Sequence, residues 1–322
     1  MAVYTNITES ELSRFLATYD LGALRSFAGI AQGVENSNFR VETERGRYIL
    51  TLYERRVRSE DLPFFLGLMR HLAASGFPSP MPEMDRSGKM LSVLNGKPAA
   101  IVSFLSGASD ASPGVEKCRA AGEGLAALHA TAADFTIRRA NSLGKESWRP
   151  LFDAHRAACQ EFAPDLEHLI AEDLDALDAA WPSDLPDGVI HADLFPDNVF
   201  FEGDRFAAAI DFYFACNDVL AYDLAVCLNA WCHSESGELR VELARAMVEG
   251  YERRRPLSLK ERKALPTLAR GAAMRFFLTR LADWGATPEG ALVKPHNPMD
   301  YAARLAFHRR AAGELQPYGL TI

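Results

Sequence analysis

Apolar residues recur along this chain with two different periods, and the switch between them divides it. "SNFRVET" (37–43) and "RYILTLYE" (47–54) are extended runs flanking "ERG", and "MLSVL" (90–94) and "PAAIVSF" (98–104) flank Asn95-Gly96. Both read as hairpins, the second on the strongest short turn signal a sequence offers. Between them "EDLPFFLGLMRHLAASG" repeats apolar residues at Leu62, Phe65, Leu66, Met69 and Leu72 and stops at Gly76, which predicts a helix. Ahead of both, Thr8 and Glu11 form a capping-box pattern before Leu12, Phe15, Leu16 and Tyr19, which share one helical face. The first hundred residues therefore predict an antiparallel sheet carrying one main helix.

From about residue 113 the period becomes helical. "VEKCRAAGEGLAALHA", "EHLIAEDLDALDAAW", "DVLAYDLAVCLNAWC", "ELRVELARAMVEGYERR", "RGAAMRFFLTRLADW" and "YAARLAFHRRAA" all carry it. One stretch interrupts them, Val189–Phe212, where a loop and two short strands stand among helices. This is an α+β chain with a sheet lobe over 1–105, a mainly helical lobe over 106–322, and a linker near Leu105–Pro113. The basic run "YERRRPLSLKERK" (251–263) reads as a solvated connection between helices.

Composition narrows the field without deciding it. A chain of 322 residues with 48% hydrophobic and 24% charged residues is an ordinary globular protein long enough for two lobes. A net charge of −8 and a pI near 5.6 argue against a nucleic-acid partner, which needs a basic face. No signal-peptide pattern opens the sequence and no apolar run approaches membrane-spanning length, so a cytoplasmic protein with no membrane partner is expected. Cys118, Cys159, Cys216, Cys227 and Cys232 form no CxxC pair, and buried free thiols are expected, with Cys232-His233 in the core rather than on zinc.

The interrupting stretch, "VIHADLFPDNVFFEGDRFAAAIDF", crowds one His, four Asp and one Asn into 24 largely apolar residues. Carboxylates placed between strand-like pieces point to something positive held there. His191, Asp193 and Asn198 fit H-x-D-x-x-x-x-N, and Asp211 follows 13 residues later at the end of an apolar strand. Phosphoryl transfer needs this set: a carboxylate to orient and deprotonate the attacking hydroxyl, and oxygen ligands for a magnesium ion bridging nucleotide phosphates. A hairpin of "NVFF" and "FAAAI" around "EGD" would fold the two halves together. The bland alternative makes Asp193, Asn198 and Asp211 turn and cap residues; Asp197, beside Pro196, reads as one.

"HADLFPDN" beside "IDF" resembles the catalytic and metal-binding loops of the protein-kinase-like fold, in the branch of small-molecule kinases around the aminoglycoside phosphotransferases. Phe195 replaces the lysine of protein kinases, "DFY" (211–213) lacks their glycine, and 11 residues from Asp211 to Tyr222-Asp223 leave no room for an activation segment. With "GIAQGVENSNF" (29–39), "YILTLYE", "DLPFFLGLM", "AYDLAVCLNAWC" and "RGAAMRFFLTRL", the chain resembles, over nearly its whole length, the bacterial homoserine kinases of this type. The resemblance implies ATP and Mg2+ as cofactors and L-homoserine as small-molecule substrate, phosphorylated for threonine biosynthesis. It makes Asp193 the base, His191 a loop brace, Asn198 and Asp211 the metal ligands, and Asp223 a support from a helix start. Gly33, Val34, Asn36, Ser37 and Asn38 would cover the ATP phosphates, and Ser103 and Leu105 would meet adenine.

One departure stands out: Thr51 occupies the place of the usual third-strand lysine, and either Arg55 or Arg56, or the loop amides with magnesium, must substitute. On "AAMRFFLTRL", Arg275 is the candidate for the substrate carboxylate, against an internal ion pair for Arg275 or Arg280. Choline, ethanolamine, aminoglycoside or sugar kinases of the same fold, and a binding module without catalysis, are the alternatives. The remaining histidines, His233 and His296 among them, read as structural.

Overall fold

The first helix is set by four residues of sequence. In α1 (Glu9–Leu16) Glu11 N–H donates to the Thr8 hydroxyl (3.3 Å) and Thr8 N–H donates to the Glu11 carboxylate (2.7 Å), which satisfies two donors that a helix start otherwise leaves bare. Leu12, Phe15 and Leu16 then close over a sheet core of Phe39, Val41, Leu50, Leu52, Ala99 and Ile101. The computed structural model of the protein describes residues 5–30, 36–54, 57–286 and 295–320.

That sheet has five strands, all antiparallel: β1 (Leu24–Gly29), β2 (Ser37–Thr43), β3 (Arg47–Leu52), β4 (Ser92–Leu94) and β5 (Lys97–Ser103), in the spatial order β1-β2-β3-β5-β4. Both expected hairpins form. Asn95 (φ 50°) and Gly96 (φ 74°) take the left-handed conformations that a two-residue turn matching the strand twist requires. The edge strand β1 escaped the pattern reading because no residue in it is buried, so no alternation marks it. α2 (Leu62–Ala74), with Pro63 in its first turn, buries Leu62, Phe64, Phe65, Leu66, Leu68, Met69 and Leu72. Phe65 meets Tyr213 edge-on, with ring centroids 5.8 Å apart.

The chain divides into two units. The first takes Met1–Ser106, Phe135–Arg139 and Ala208–Tyr213; the second takes Gly107–Asp134, Ala140–Ala207 and Phe214–Ile322. Asp211 therefore belongs with the sheet, whereas Asp193 and Asn198 belong with the helices.

In the helical unit α3 (Val115–Thr131) crosses α7 (Val241–Glu252) at glycines. A Cβ on Gly122 would land on the Met247 carbonyl oxygen, and one on Gly250 on the Arg119 carbonyl oxygen. α4 (Lys145–His155) buries only Trp148 and Phe152, too thin a stripe to announce itself in the sequence. After α5 (Leu166–Ala180), β6 (Asp187–Ile190) pairs antiparallel with β9 (Cys216–Val219), and β7 (Val199–Glu202) pairs with β8 (Arg205–Ala209) as the expected hairpin. α6 (Leu220–Trp231), α8 (Leu259–Ala286) and α9 (Met299–Arg310) complete the unit. Residues 271–278 of α8 are buried on every side, as a helix at the centre of a helical layer must be. All five cysteines are buried and free.

One expectation needs correction. The run 251–263 does join two helices, but it is not simply solvated: Glu261 is 1% exposed and accepts from Arg255 (2.7 Å). Spacing alone could not show that these two opposite charges, six residues apart, fold back on each other.

The glycine crossing generates a test. Gly122→Ala forces a methyl group against α7 backbone, which cannot rotate away, and should cost about 2–3 kcal/mol in urea denaturation. Gly114→Ala, at a position with open space around it, should cost less than about 1 kcal/mol.

Candidate active site

The loop that follows β6 is held open by its backbone. Ala192 sits at φ 62°, a left-handed conformation that a side-chain-bearing residue enters only at a cost of roughly 1–2 kcal/mol. Three hydrogen bonds hold it there. His191 N–H donates to Asp223 Oδ2 (2.7 Å), Ala192 N–H donates to Asp223 Oδ1 (2.8 Å), and the Ala192 carbonyl accepts from the Arg275 guanidinium. The turn that results places Asp193 at the loop's tip, its side chain 18% exposed, while His191 beneath it is fully buried.

The next residues are fixed as firmly. The Leu194 carbonyl accepts from Trp231 Nε1 (2.7 Å) and from the Cys227 thiol (3.6 Å), both on α6. Phe195 packs edge-on against Phe276, centroids 4.9 Å apart. Asn198 Nδ2 donates to the Asp193 carbonyl (2.8 Å). A carbonyl only accepts, so the amide nitrogen must face it and Asn198 Oδ1 turns the other way, the orientation in which an amide can ligate a hard cation. Asp197 is exposed on the turn.

Asp223, in the first turn of α6, is fully buried and takes a third bond from His129 Nε2 (3.0 Å). Burial by itself would raise its carboxyl. The hydrogen bond and charge of His129, with the His191 N–H, outweigh burial and hold it below the ordinary carboxylate value. Behind it runs a chain of side chains: His129 Nδ1 meets the Tyr251 hydroxyl (2.9 Å), which accepts from Arg255 (3.3 Å), which donates to Glu261 (2.7 Å). Arginine only donates, so the Tyr251 oxygen accepts from Arg255, and a carboxylate only accepts, so His129 Nε2–H donates its hydrogen bond to Asp223. Pattern reading missed His129, Tyr251, Arg255 and Glu261. The one available signal was a histidine on an apolar helix face, which must find a partner when buried.

The sheet unit holds the remaining candidates. Asp211 follows β8 at φ 64°. Tyr213 hydrogen-bonds Tyr53 (3.1 Å). Thr51 donates to Asn38 Oδ1 (2.8 Å), and Ser37 donates to Glu54 (2.8 Å), whose N–H reaches Asn36 Oδ1 (3.3 Å). These side chains tie β2 to β3. Ser103 uses both its N–H and its hydroxyl on Met81, and Leu105 is partly exposed. Gly33, Val34, Arg55 and Arg56 lie outside the described residues. Among the described residues no three His, Cys, Asp or Glu side chains cluster as a metal site, and no helix is long and apolar enough to cross a membrane.

On α8, Arg270 pairs with Asp173 and Arg280 with Asp300 (2.8 Å), the latter an ion pair as the alternative reading had it. Arg275 is 3% exposed. Besides the Ala192 carbonyl it stands 4.0 Å from Asp193 Oδ1 and lies over the rings of Phe276 (4.1 Å) and Phe214 (5.3 Å). Its position is under the loop.

The profile of the APH phosphotransferase enzyme family matches residues 26–257. The chain belongs to the phosphotransferase enzyme family. Within it, the homoserine kinase of Caulobacter vibrioides is 60% identical over 310 residues, covering 96% of this chain and 98% of that protein. The homoserine kinase of Xanthobacter autotrophicus is 57% identical and covers 99% of each. Among solved structures, the amicoumacin kinase hAmiN superposes with a TM-score of 0.69 at 16% identity, covering 97% of this chain and 95% of that one. At that identity the likeness speaks for the fold, a sheet lobe and a helical lobe of the kinase-like phosphotransferase type, as expected from the sequence.

The buried carboxylate sets a pH dependence. A group with a lowered folded value contributes stability above its unfolded value, near 3.8, and that contribution is lost as the pH falls through the folded value. Asp223→Asn should therefore cost about 3–5 kcal/mol at pH 7, since it breaks a buried pair. The gap to wild type in urea denaturation should narrow as the pH drops below about 4.

Proposed function

We propose that this phosphotransferase is an ATP-dependent homoserine kinase, transferring the γ-phosphate to the side-chain hydroxyl of L-homoserine to give O-phospho-L-homoserine. The observation that carries the reading is identity near 60% with curated homoserine kinases across essentially the whole chain, together with the Asp193 loop those kinases would need. The product places the enzyme in threonine biosynthesis.

Asp193 accepts the proton of the attacking hydroxyl. Its carboxylate is aimed by the left-handed Ala192 and kept from rotating by Asn198 Nδ2 (3.4 Å to Oδ2) and the Arg275 guanidinium. Asn198 Oδ1 and the Asp211 carboxylate would hold magnesium, both hard oxygen donors of the kind it prefers. The ion supplies neutralisation of the charge that develops on the transferring phosphoryl group. Arg275 serves through the loop, positioning Ala192 and Asp193. His191 braces the loop from beneath, and the resemblance assigns Gly33, Val34, Asn36, Ser37 and Asn38 to the nucleotide phosphates and Ser103 and Leu105 to its adenine. With a free-thiol chain of this composition, the cytoplasm is the fitting compartment.

The discriminating experiment is ADP release against a panel of alcohols. Release stimulated by homoserine and not by choline, ethanolamine or kanamycin is expected; the reverse order would assign the chain to one of the other small-molecule kinases that share the fold.

Asp193→Asn removes the base and leaves the loop geometry. Turnover should fall by at least about a hundredfold with nucleotide affinity nearly unchanged, because proton transfer belongs to the transition state. Turnover above about a tenth of wild type would mean another group takes the proton.

A further inference from the structure

Two donors on α9 lack acceptors. The Tyr301 hydroxyl has no hydrogen-bond partner among the described residues although the side chain is fully buried, and Arg304 Nε, one turn further on, is also buried without one. Leaving a donor buried and unmet is unfavourable. Every other arginine of α8 and α9 donates to an oxygen: Arg262 to Glu252, Arg270 and Arg309 to Asp173, Arg275 to Ala192, Arg280 to Asp300 and Arg310 to Glu238. Arg304 alone among them has only a ring beneath it, the Tyr301 face 4.2 Å from its guanidinium carbon.

We propose that Arg304 and the Tyr301 hydroxyl form the subsite that takes the carboxylate of the amino-acid substrate. The inference rests on the homoserine reading above and names the group that gives it specificity. Phe195, two residues beyond the base, packs on Phe276, and Phe276 stacks on Tyr301 with centroids 5.1 Å apart. The donor pair thus stands one aromatic layer beyond the catalytic loop. In homoserine four bonds separate the hydroxyl oxygen from the carboxylate carbon, so its carboxylate is held away from the base rather than against it. Burial raises the Tyr301 hydroxyl above the ordinary phenol value against the opposing charges of Arg304 and Arg280, so it stays a neutral donor. Burial also keeps His233 and His308, the other titratable groups that Arg304 bears on, uncharged, and no carboxylate pairs with Arg304 among the described residues. The Arg304 guanidinium thus has a ring contact and no carboxylate among the described residues, and a guanidinium fork suits a two-point grip on a carboxylate.

The test compares homoserine with 3-amino-1-propanol, the same molecule without the carboxylate, on wild type, Arg304→Ala, Arg304→Gln and Tyr301→Phe. Wild type should prefer homoserine strongly in kcat/KM. Both Arg304 variants should lower that preference by about a hundredfold, mainly through KM for homoserine, with KM for ATP held within about twofold. Tyr301→Phe should lower it by about tenfold. A purely structural role would slow both substrates alike, so an unchanged preference in folded variants overturns the subsite while leaving the kinase reading intact. Should wild type phosphorylate neither compound, the homoserine reading fails and the subsite falls with it. If Arg304→Ala does not fold, Arg304→Gln and Tyr301→Phe decide on the same criterion.

Discussion

The two oxygens of Asp223 each accept a hydrogen bond from a successive backbone N–H, and the conformation of the catalytic loop depends on that grip. It holds a non-glycine residue in the left-handed region, and the turn so formed carries Asp193. The grip is assembled by strand pairing. β6 and β9 lie side by side, the loop leaves the end of β6, and β9 runs straight into α6, so a carboxylate 32 residues away in sequence arrives beside the loop. Arg275 closes the arrangement from the opposite side. Its guanidinium keeps the Ala192 carbonyl turned and lies on aromatic rings that keep water from the bond.

Charges buried this deeply are stable only when their partners are complete. Asp223 meets that condition through His129, whose own second nitrogen is met by Tyr251, and so on to Glu261, which ends the chain near the start of α8. Asp173 meets it differently, by receiving Arg270 from α8 and Arg309 from α9. The first network fixes a functional loop. The second joins α5, α8 and α9 and touches no candidate catalytic residue. Similar residue types thus serve two ends, and what distinguishes them is which backbone the carboxylate reaches.

The elements with a clean period were legible in the sequence: both hairpins, α1 with its capping box, α2, and six of the later helices. β1 and α4 were not, because one buries nothing fully and the other only Trp148 and Phe152, and periodicity reads burial rather than backbone shape. The spacing of His191, Asp193, Asn198 and Asp211 pointed to the catalytic stretch because chemistry fixes those residue types close together along the chain. Networks drawn from distant segments leave no such trace. Nothing in "ALHA" or "YERRRPL" says that His129 and Arg255 stand in one line behind Asp223, and nothing in "AAMRFF" says that Arg275 points inward at a carbonyl. Fold-level pattern reaches the site; the partners that orient it meet only in three dimensions.

The sheet unit is sewn from three separate stretches of chain, and this limits how the protein can be recombined. Tyr213 contributes a hydroxyl to Tyr53 and a ring to Phe65, while Arg139 reaches Asp61 at 2.9 Å, yet Arg139 and Tyr213 are encoded well beyond the last strand of the sheet. A chimera that exchanges residues 1–106 with those of a relative inherits a foreign Tyr53 environment while keeping its native Tyr213. The lobe is therefore not a portable cassette, and a working graft must carry residues 135–139 and 208–213 with it.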